Sequence, residues 1–158
     1  MGKFNFVSLP DVEVEITSVK EIFSEMEYWL MYPLIEIHEC HSNAFLVTLH
    51  LKCDTPIEIV EGYVEDGNVT RTPHAFNKIG DKYFDFTLEK FLPSEHFGKD
   101  IYIAKRIYTK AEMFSVIAAM GGNCISFEGR YKRKYSYYID DEGVLHREAI
   151  TKKEAHID

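Results

Sequence analysis

Pro73-His74-Ala75-Phe76-Asn77-Lys78-Ile79-Gly80-Asp81-Lys82-Tyr83-Phe84-Asp85-Phe86-Thr87 is the stretch on which the reading of this 158-residue chain turns. Gly80-Asp81 is a two-residue hairpin signal, because Gly and Asp tolerate the positive φ that tight hairpin turns demand, and it separates two runs, 73–79 and 82–87, that read as strands. Zipping outward from the turn pairs Ile79 with Lys82, Lys78 with Tyr83, Phe76 with Asp85 and His74 with Thr87. Directly opposed residues share a face of the sheet, and along each strand the faces alternate. His74 and Asp85 therefore stand on one face as diagonal neighbours, about 7–8 Å apart at the backbone and within side-chain reach. A carboxylate bonded to one imidazole nitrogen fixes the tautomer and leaves the other nitrogen free to carry a proton. Asn77 falls on the opposite face and is expected at the sheet surface.

Upstream lies Cys40-His41-Ser42-Asn43-Ala44. A helix opening at about Glu39 or Cys40 and running to Leu51, with Ala44, Phe45, Val47 and Leu51 apolar, would set Cys40 in its first turn. Free backbone N–H groups and the helix dipole favour a thiolate there. A thiolate beside an imidazolium is the activated form that attacks acyl carbon. Cys40, His74 and Asp85 are thus candidates for nucleophile, general base and orienting carboxylate. The Cys40 N–H is one candidate oxyanion donor; Asn43 and Tyr63 are candidates for the second, or for substrate contacts.

The order of these parts resembles the transglutaminase-like branch of the papain-like cysteine enzymes. In that family the Cys starts a helix with a small residue four positions on, as Cys40 and Ala44 do. His74-Ala75-Phe76 is similar to its His-Ala-Trp pattern, and Asp85-Phe86-Thr87 keeps the ends of its Asp-Pro-Thr pattern. Phe76 and Phe86 replace the family's Trp and Pro, and no Gly precedes Cys40. The resemblance covers about residues 36–90. It implies a papain-like or transglutaminase-like core and a Cys40–His74–Asp85 triad. The implied chemistry is hydrolysis or acyl transfer at an amide, isopeptide or ester bond through a thioacyl intermediate, on a peptide, protein or small amide substrate and without cofactor or metal. The alternative is a binding or inhibitory module that keeps the fold without turnover.

Around this segment, residues 4–16 alternate at period two about Pro10 and predict a strand pair or extended arm. Ser18 and Glu21 form a capping-box pattern for a helix over 18–31, with Ile22, Met26, Trp29 and Leu30 on its apolar face, ending before Pro33. Strands are predicted at 57–65, with Gly62 a point of close approach, and at 101–108. Thr109 and Glu112 suggest a second capping box, opening a helix that stops at Gly121-Gly122, with Met113, Phe114, Val116, Ile117 and Met120 as its core face. Strands near 124–128, at 135–139 and at 144–148 close the chain. Helices early and an antiparallel sheet later predict an α+β fold, one domain over 1–158, with N-terminal helices packed on the sheet.

Composition narrows the function classes. The chain is 46% apolar and 14% aromatic, enough for a packed core rather than a disordered segment. A net charge of −8 argues against nucleic acid as partner, since that binding is driven by cationic side chains releasing counterions. The one basic run, Gly129–Tyr135, reads as charge protecting a strand edge. No apolar stretch is long enough for a membrane span. The start lacks a signal core, and Phe6 stands where a myristoylation motif has Ser or Thr. Three cysteines without close spacing are not a disulfide framework, so a reducing, cytoplasmic setting is expected, with Cys53 and Cys124 as packing residues. His38, Cys40, His41, His50 and Cys53 crowd one stretch, and zinc favours such ligands, but no standard ligand spacing is present. His38 and His41 are expected to be exposed or near the mouth of the cleft.

Overall fold

A computed structural model of the chain describes residues 3–65, 71–92, 97–119 and 135–149. It is α+β. Five antiparallel strands form one sheet in the order β1-β5-β2-β3-β4. These are β1 (Val7–Val14), β2 (Ile57–Glu65), β3 (Arg71–Ile79), β4 (Lys82–Phe84) and β5 (Ile101–Tyr108). The helices are α1 (Val19–Ile22), α2 (Glu25–Met31), α3 (Cys40–His50), α4 (Phe86–Phe91) and α5 (Lys110–Ala119). A separate hairpin joins β6 (Tyr135–Ile139) to β7 (Leu145–Ala149). Among the described residues no helix is long and apolar enough to cross a membrane.

The turn at Gly80, with φ of 60°, sets the register as the sequence predicts: Ile79 opposes Lys82 and Lys78 opposes Tyr83. Pairing stops at Phe84 opposite Asn77, where the chain leaves the sheet. Asp85 is therefore not a strand residue, as the 82–87 assignment had it, but the N-cap of α4, its side chain accepting from the Leu88 N–H. Asp is among the strongest N-cap residues, and that local preference ends the strand early. The outer edge of β3 beyond Asn77 is left uncovered by β4, opening a gap at His74.

Residues 18–31 form two helices rather than one. Ser18 caps α1, but the reciprocal capping box belongs to Ser24 and Glu27 and starts a new helix after Phe23. The changed phase turns Tyr28 and Met31 inward and leaves Met26, Trp29 and Leu30 exposed, reversing the predicted apolar face. In α5, Met113, Val116 and Ile117 are buried as expected, and Thr109 accepts from the Glu112 N–H, but Phe114 is exposed. Gly121-Gly122, Met120, the 124–128 strand, Cys124 and most of the basic run lie outside the described residues. The N-terminal arm is one edge strand, β1, whose pairing with β5 is interrupted between Ser8 and Val12. Pro10, which has no N–H to donate, sits in that interruption.

Helix α3 lies across the face carrying Ile59, Ala75 and Asn77. Ala44 and Phe45 pack with Ile59, Ala75, Tyr108 and Met113. Asn77, expected at the surface, is 1% exposed and donates to the carbonyls of Ala44 and Glu58, so it ties the helix to the sheet. A polar side chain under a helix is tolerated because its donors are satisfied. On the opposite face Val60, Phe76, Tyr102, Ala104 and Ile107 form a second cluster. The sheet curls around it until Ile16, just past β1, bridges to Tyr83 of β4, and the Thr17 N–H donates to the Tyr83 carbonyl at 2.7 Å.

Glu61 opposes Arg106 and Gly62 opposes Ala104, so Lys105 is an extra residue bulged out of β5. The bulge drives the Ile103 carbonyl toward β2: a Cβ on Gly62 would lie 1.8 Å from that oxygen. Gly62 is the close approach its position in the strand pattern suggested. Substituting Gly62→Ala should destabilise the fold by about 2–3 kcal/mol, read as a lower midpoint in thermal or urea unfolding; an unchanged midpoint would show that the bulge does not constrain the sheet.

Candidate functional site

Cys40 occupies the first turn of α3, after an N-cap, Glu39, whose side chain makes no capping bond. The N–H groups of that turn lack intrahelical partners. Asn43 ties this end of the helix to its neighbours. Its amide oxygen accepts from the Glu36 N–H at 3.0 Å, while its nitrogen donates to the Glu36 carbonyl at 2.7 Å and to Thr87 Oγ1 of α4 at 2.9 Å. Lys90, at the far end of α4, donates to the carbonyls of Tyr32 and Ile35 and fixes the segment leading into α3. These bonds lock the starts of α3 and α4 side by side at the gap where His74 stands.

In that gap His74 Nε2 and Asp85 Oδ2 are 2.7 Å apart, with both side chains buried, at 10% and 3% exposure. The Tyr102 hydroxyl donates to the same Asp85 oxygen at 2.7 Å. Burial and the neighbouring Asp85 charge both raise the Tyr102 pKa, so it remains a donor. With Nε2 engaged, Nδ1 is the His74 nitrogen left for proton transfer. Burial would lower the His74 pKa, but the Asp85 charge and hydrogen bond, joined by Cys40, push it up to about 10. Burial likewise raises a thiol pKa. For Cys40 it is outweighed by hydrogen bonds and charge from His41 and then His74, which bring the thiol down to about 5. At neutral pH the site therefore holds a thiolate among imidazolium groups.

His41 is the residue whose part the sequence did not show. It was expected at the cleft mouth, and its side chain is indeed 44% exposed. Its Nδ1 lies 3.6 Å from Cys40 Sγ, and its Nε2 lies 3.2 Å from Glu61 Oε2 on β2. Desolvation, which would lower its pKa, is overcome by the bonds to Cys40 and Glu61, and the ring is held well above the usual imidazole range. Glu61 opposes Arg106 across the strands. Burial would raise its carboxyl pKa, but His41, then Tyr108 and Arg106, hold it below the ordinary value. Cys40 thus interacts with two imidazole–carboxylate pairs, His41–Glu61 and His74–Asp85. No sequence spacing links His41 to Glu61; the packing of α3 on β2 brings them together.

The two candidates for a second oxyanion donor are placed otherwise. Asn43 is 1% exposed, and both its amide hydrogens are committed to Glu36 and Thr87. Tyr63 lies further along β2 with its ring beneath the cations of Arg71 and Lys105, at 5.0 and 6.0 Å. Cys53, expected in the core, is exposed, and desolvation together with Glu27 and Asp54 raises its pKa. Among the described residues no three His, Cys, Asp or Glu side chains gather as a metal-binding group. No family model, curated protein or solved structure matches this chain.

Two outcomes follow from this geometry. In a chain with Cys53 and Cys124 replaced by Ser, the thiolate absorbance of Cys40 should titrate with a midpoint at about 5. His74→Gln should move that midpoint upward, because removing a cation disfavours the thiolate; an ordinary midpoint of about 8.5 in the parent would contradict the arrangement. Asn43→Ala should cost about 2 kcal/mol in urea unfolding, since it strands the Glu36 backbone groups and Thr87.

Proposed function

We propose that the chain is a cysteine hydrolase or acyltransferase, with Cys40 as nucleophile, His74 as proton carrier and Asp85 as the group that orients His74. The observation that carries this reading is the buried 2.7 Å His74–Asp85 pair, together with a thiol in the first turn of a helix whose pKa His41 and His74 lower. The Cys, His and Asp patterns resembling transglutaminase-like enzymes support it, and a papain-like core is the fold reading that goes with it. A reducing, cytoplasmic compartment would suit a catalytic thiolate.

The chemistry runs on the chain's own groups. The Cys40 sulfur forms a bond to the carbonyl carbon of an amide, isopeptide or ester while the carbonyl π pair moves onto oxygen. Collapse breaks the bond to the leaving nitrogen or oxygen, which takes the electron pair and receives a proton from His74 Nδ1. The neutral imidazole then accepts a proton from water or an amine as it attacks the thioester, and the thiolate leaves. Asp85 keeps the ring in the orientation that presents Nδ1 throughout.

Iodoacetamide should label Cys40 rapidly at mildly acidic pH, and Cys40→Ala should abolish that labelling; equal labelling of parent and variant would refute the assignment. Turnover of a small unactivated amide should follow a bell. It rises through about 5, as the Cys40 thiolate forms, and falls toward about 10, as His74 loses the proton needed by the leaving group. Asp85→Ala should cut that turnover by about 10²–10⁴-fold.

A further inference from the structure

We propose that His41 is a further catalytic residue, which stays protonated and donates from Nδ1 to the oxyanion that forms when Cys40 attacks an acyl carbon. This rests on the acyl-transfer reading of Cys40 and supplies the donor that reading lacks, since Asn43 is committed to Glu36 and Thr87 and Tyr63 lies under Arg71 and Lys105.

Geometry supports the role. The oxygen of a carbon bonded to sulfur lies beside that sulfur, so a nitrogen 3.6 Å from Cys40 Sγ can reach the donor distance of about 2.7–3.1 Å. His41 is also the more exposed of the two imidazoles, at 44% against 10% for His74, and so the more accessible to an acyl group arriving from solvent. The two imidazoles are backed differently. His74 is held by Asp85, whose other partners are the Tyr102 hydroxyl and the Leu88 N–H. His41 is held by Glu61, which faces Arg106 across the sheet, close to the buried Tyr108 hydroxyl. Arg106 is itself fixed, donating to the Ile139 carbonyl at 2.7 Å and to Asp141 at 3.0 Å. A cation behind Glu61 keeps that carboxylate charged, and a charged Glu61 keeps the proton on His41.

A permanently protonated group is a poor proton shuttle but a good electrostatic donor, as its charge needs no rearrangement when the oxyanion appears. During attack the His41 N–H turns from sulfur to oxygen as the negative charge moves from one to the other. On collapse the electron pair returns to the carbonyl, and the proton stays on His41. Proton delivery to the leaving group remains with His74.

Alkylation and acylation of the same thiolate separate this role from mere thiol activation, because displacement on iodoacetamide forms no oxyanion. In a background with Cys53 and Cys124 replaced by Ser, both reactions are followed at neutral pH, using iodoacetamide and a small activated ester. His41→Ala should lower acylation by about 10²–10³-fold while iodoacetamide alkylation, still supported by His74, changes less than about tenfold. His41→Asn, whose amide N–H stands close to the position of Nδ1, should recover acylation to within about tenfold of the parent. Circular dichroism checks that each variant is folded. Acylation of His41→Ala at the parental rate, or an equal fall in both reactions, would overturn the role of His41 while leaving Cys40 as a nucleophile. A parent alkylated but never acylated would overturn the acyl-transfer reading, and this inference with it.

Discussion

Asp85 is a carboxylate with almost no access to water, and the site is arranged around satisfying it. Burying such a group without partners costs several kcal/mol. Here three donors meet it: the Leu88 N–H at the start of α4, the Tyr102 hydroxyl from β5 and the His74 imidazole from β3. Each donor comes from a different element, so the carboxylate fixes α4 and the strands β5 and β3 against one another. The same residue ends β4, since it caps a helix instead of continuing the ladder. The early stop turns the chain into α4, and Thr87 of that helix accepts from Asn43 near the start of α3.

The thiol has the opposite character. The N-cap residue of α3, Glu39, makes no capping bond through its side chain, and the positive end of the helix dipole lies at this first turn. A small polarizable sulfur stands there with two imidazoles, His41 and His74, each of which has a ring nitrogen bound to a carboxylate. Burial alone would keep Cys40 a neutral thiol; the adjacent cations reverse the sign. Cys53 has no such cations: desolvation first, then Glu27 and Asp54, raise its pKa.

The bulge at Lys105 joins the two halves. Skipping one residue of β5 keeps Arg106 opposite Glu61 while Ala104 comes opposite Gly62, the residue facing His74. Gly62 accommodates the approach of the Ile103 carbonyl that the bulge forces. One irregularity in the sheet therefore serves both imidazole–carboxylate pairs, positioning the cation behind one and leaving room beside the other.

Patterns of short range were readable from the residues alone. The Gly80-Asp81 turn gave the register of β3 and β4 as far as Asn77 and Phe84, and the bounds of α3 and β2 came from composition and periodicity; His74 and Asp85 meet as expected, but with Asp85 capping α4 instead of extending the strand. Each is fixed by backbone geometry within one or two elements. What required the folded chain was settled by groups far apart in sequence. The phase of α2 was decided by a second capping box that competes with the first, so the buried side is Tyr28 and Met31. Asn77 is internal only because α3 lies across it. His41 meets Glu61, and Asn43 is taken out of play by Thr87, because helix packing brings together side chains that no spacing connects. The sequence determined which chemical groups the chain carries and the local geometry that presents them. Tertiary structure decided which of them face the sulfur, because burial, charge and hydrogen bonding are shared among elements and cannot be assigned to any one of them in isolation.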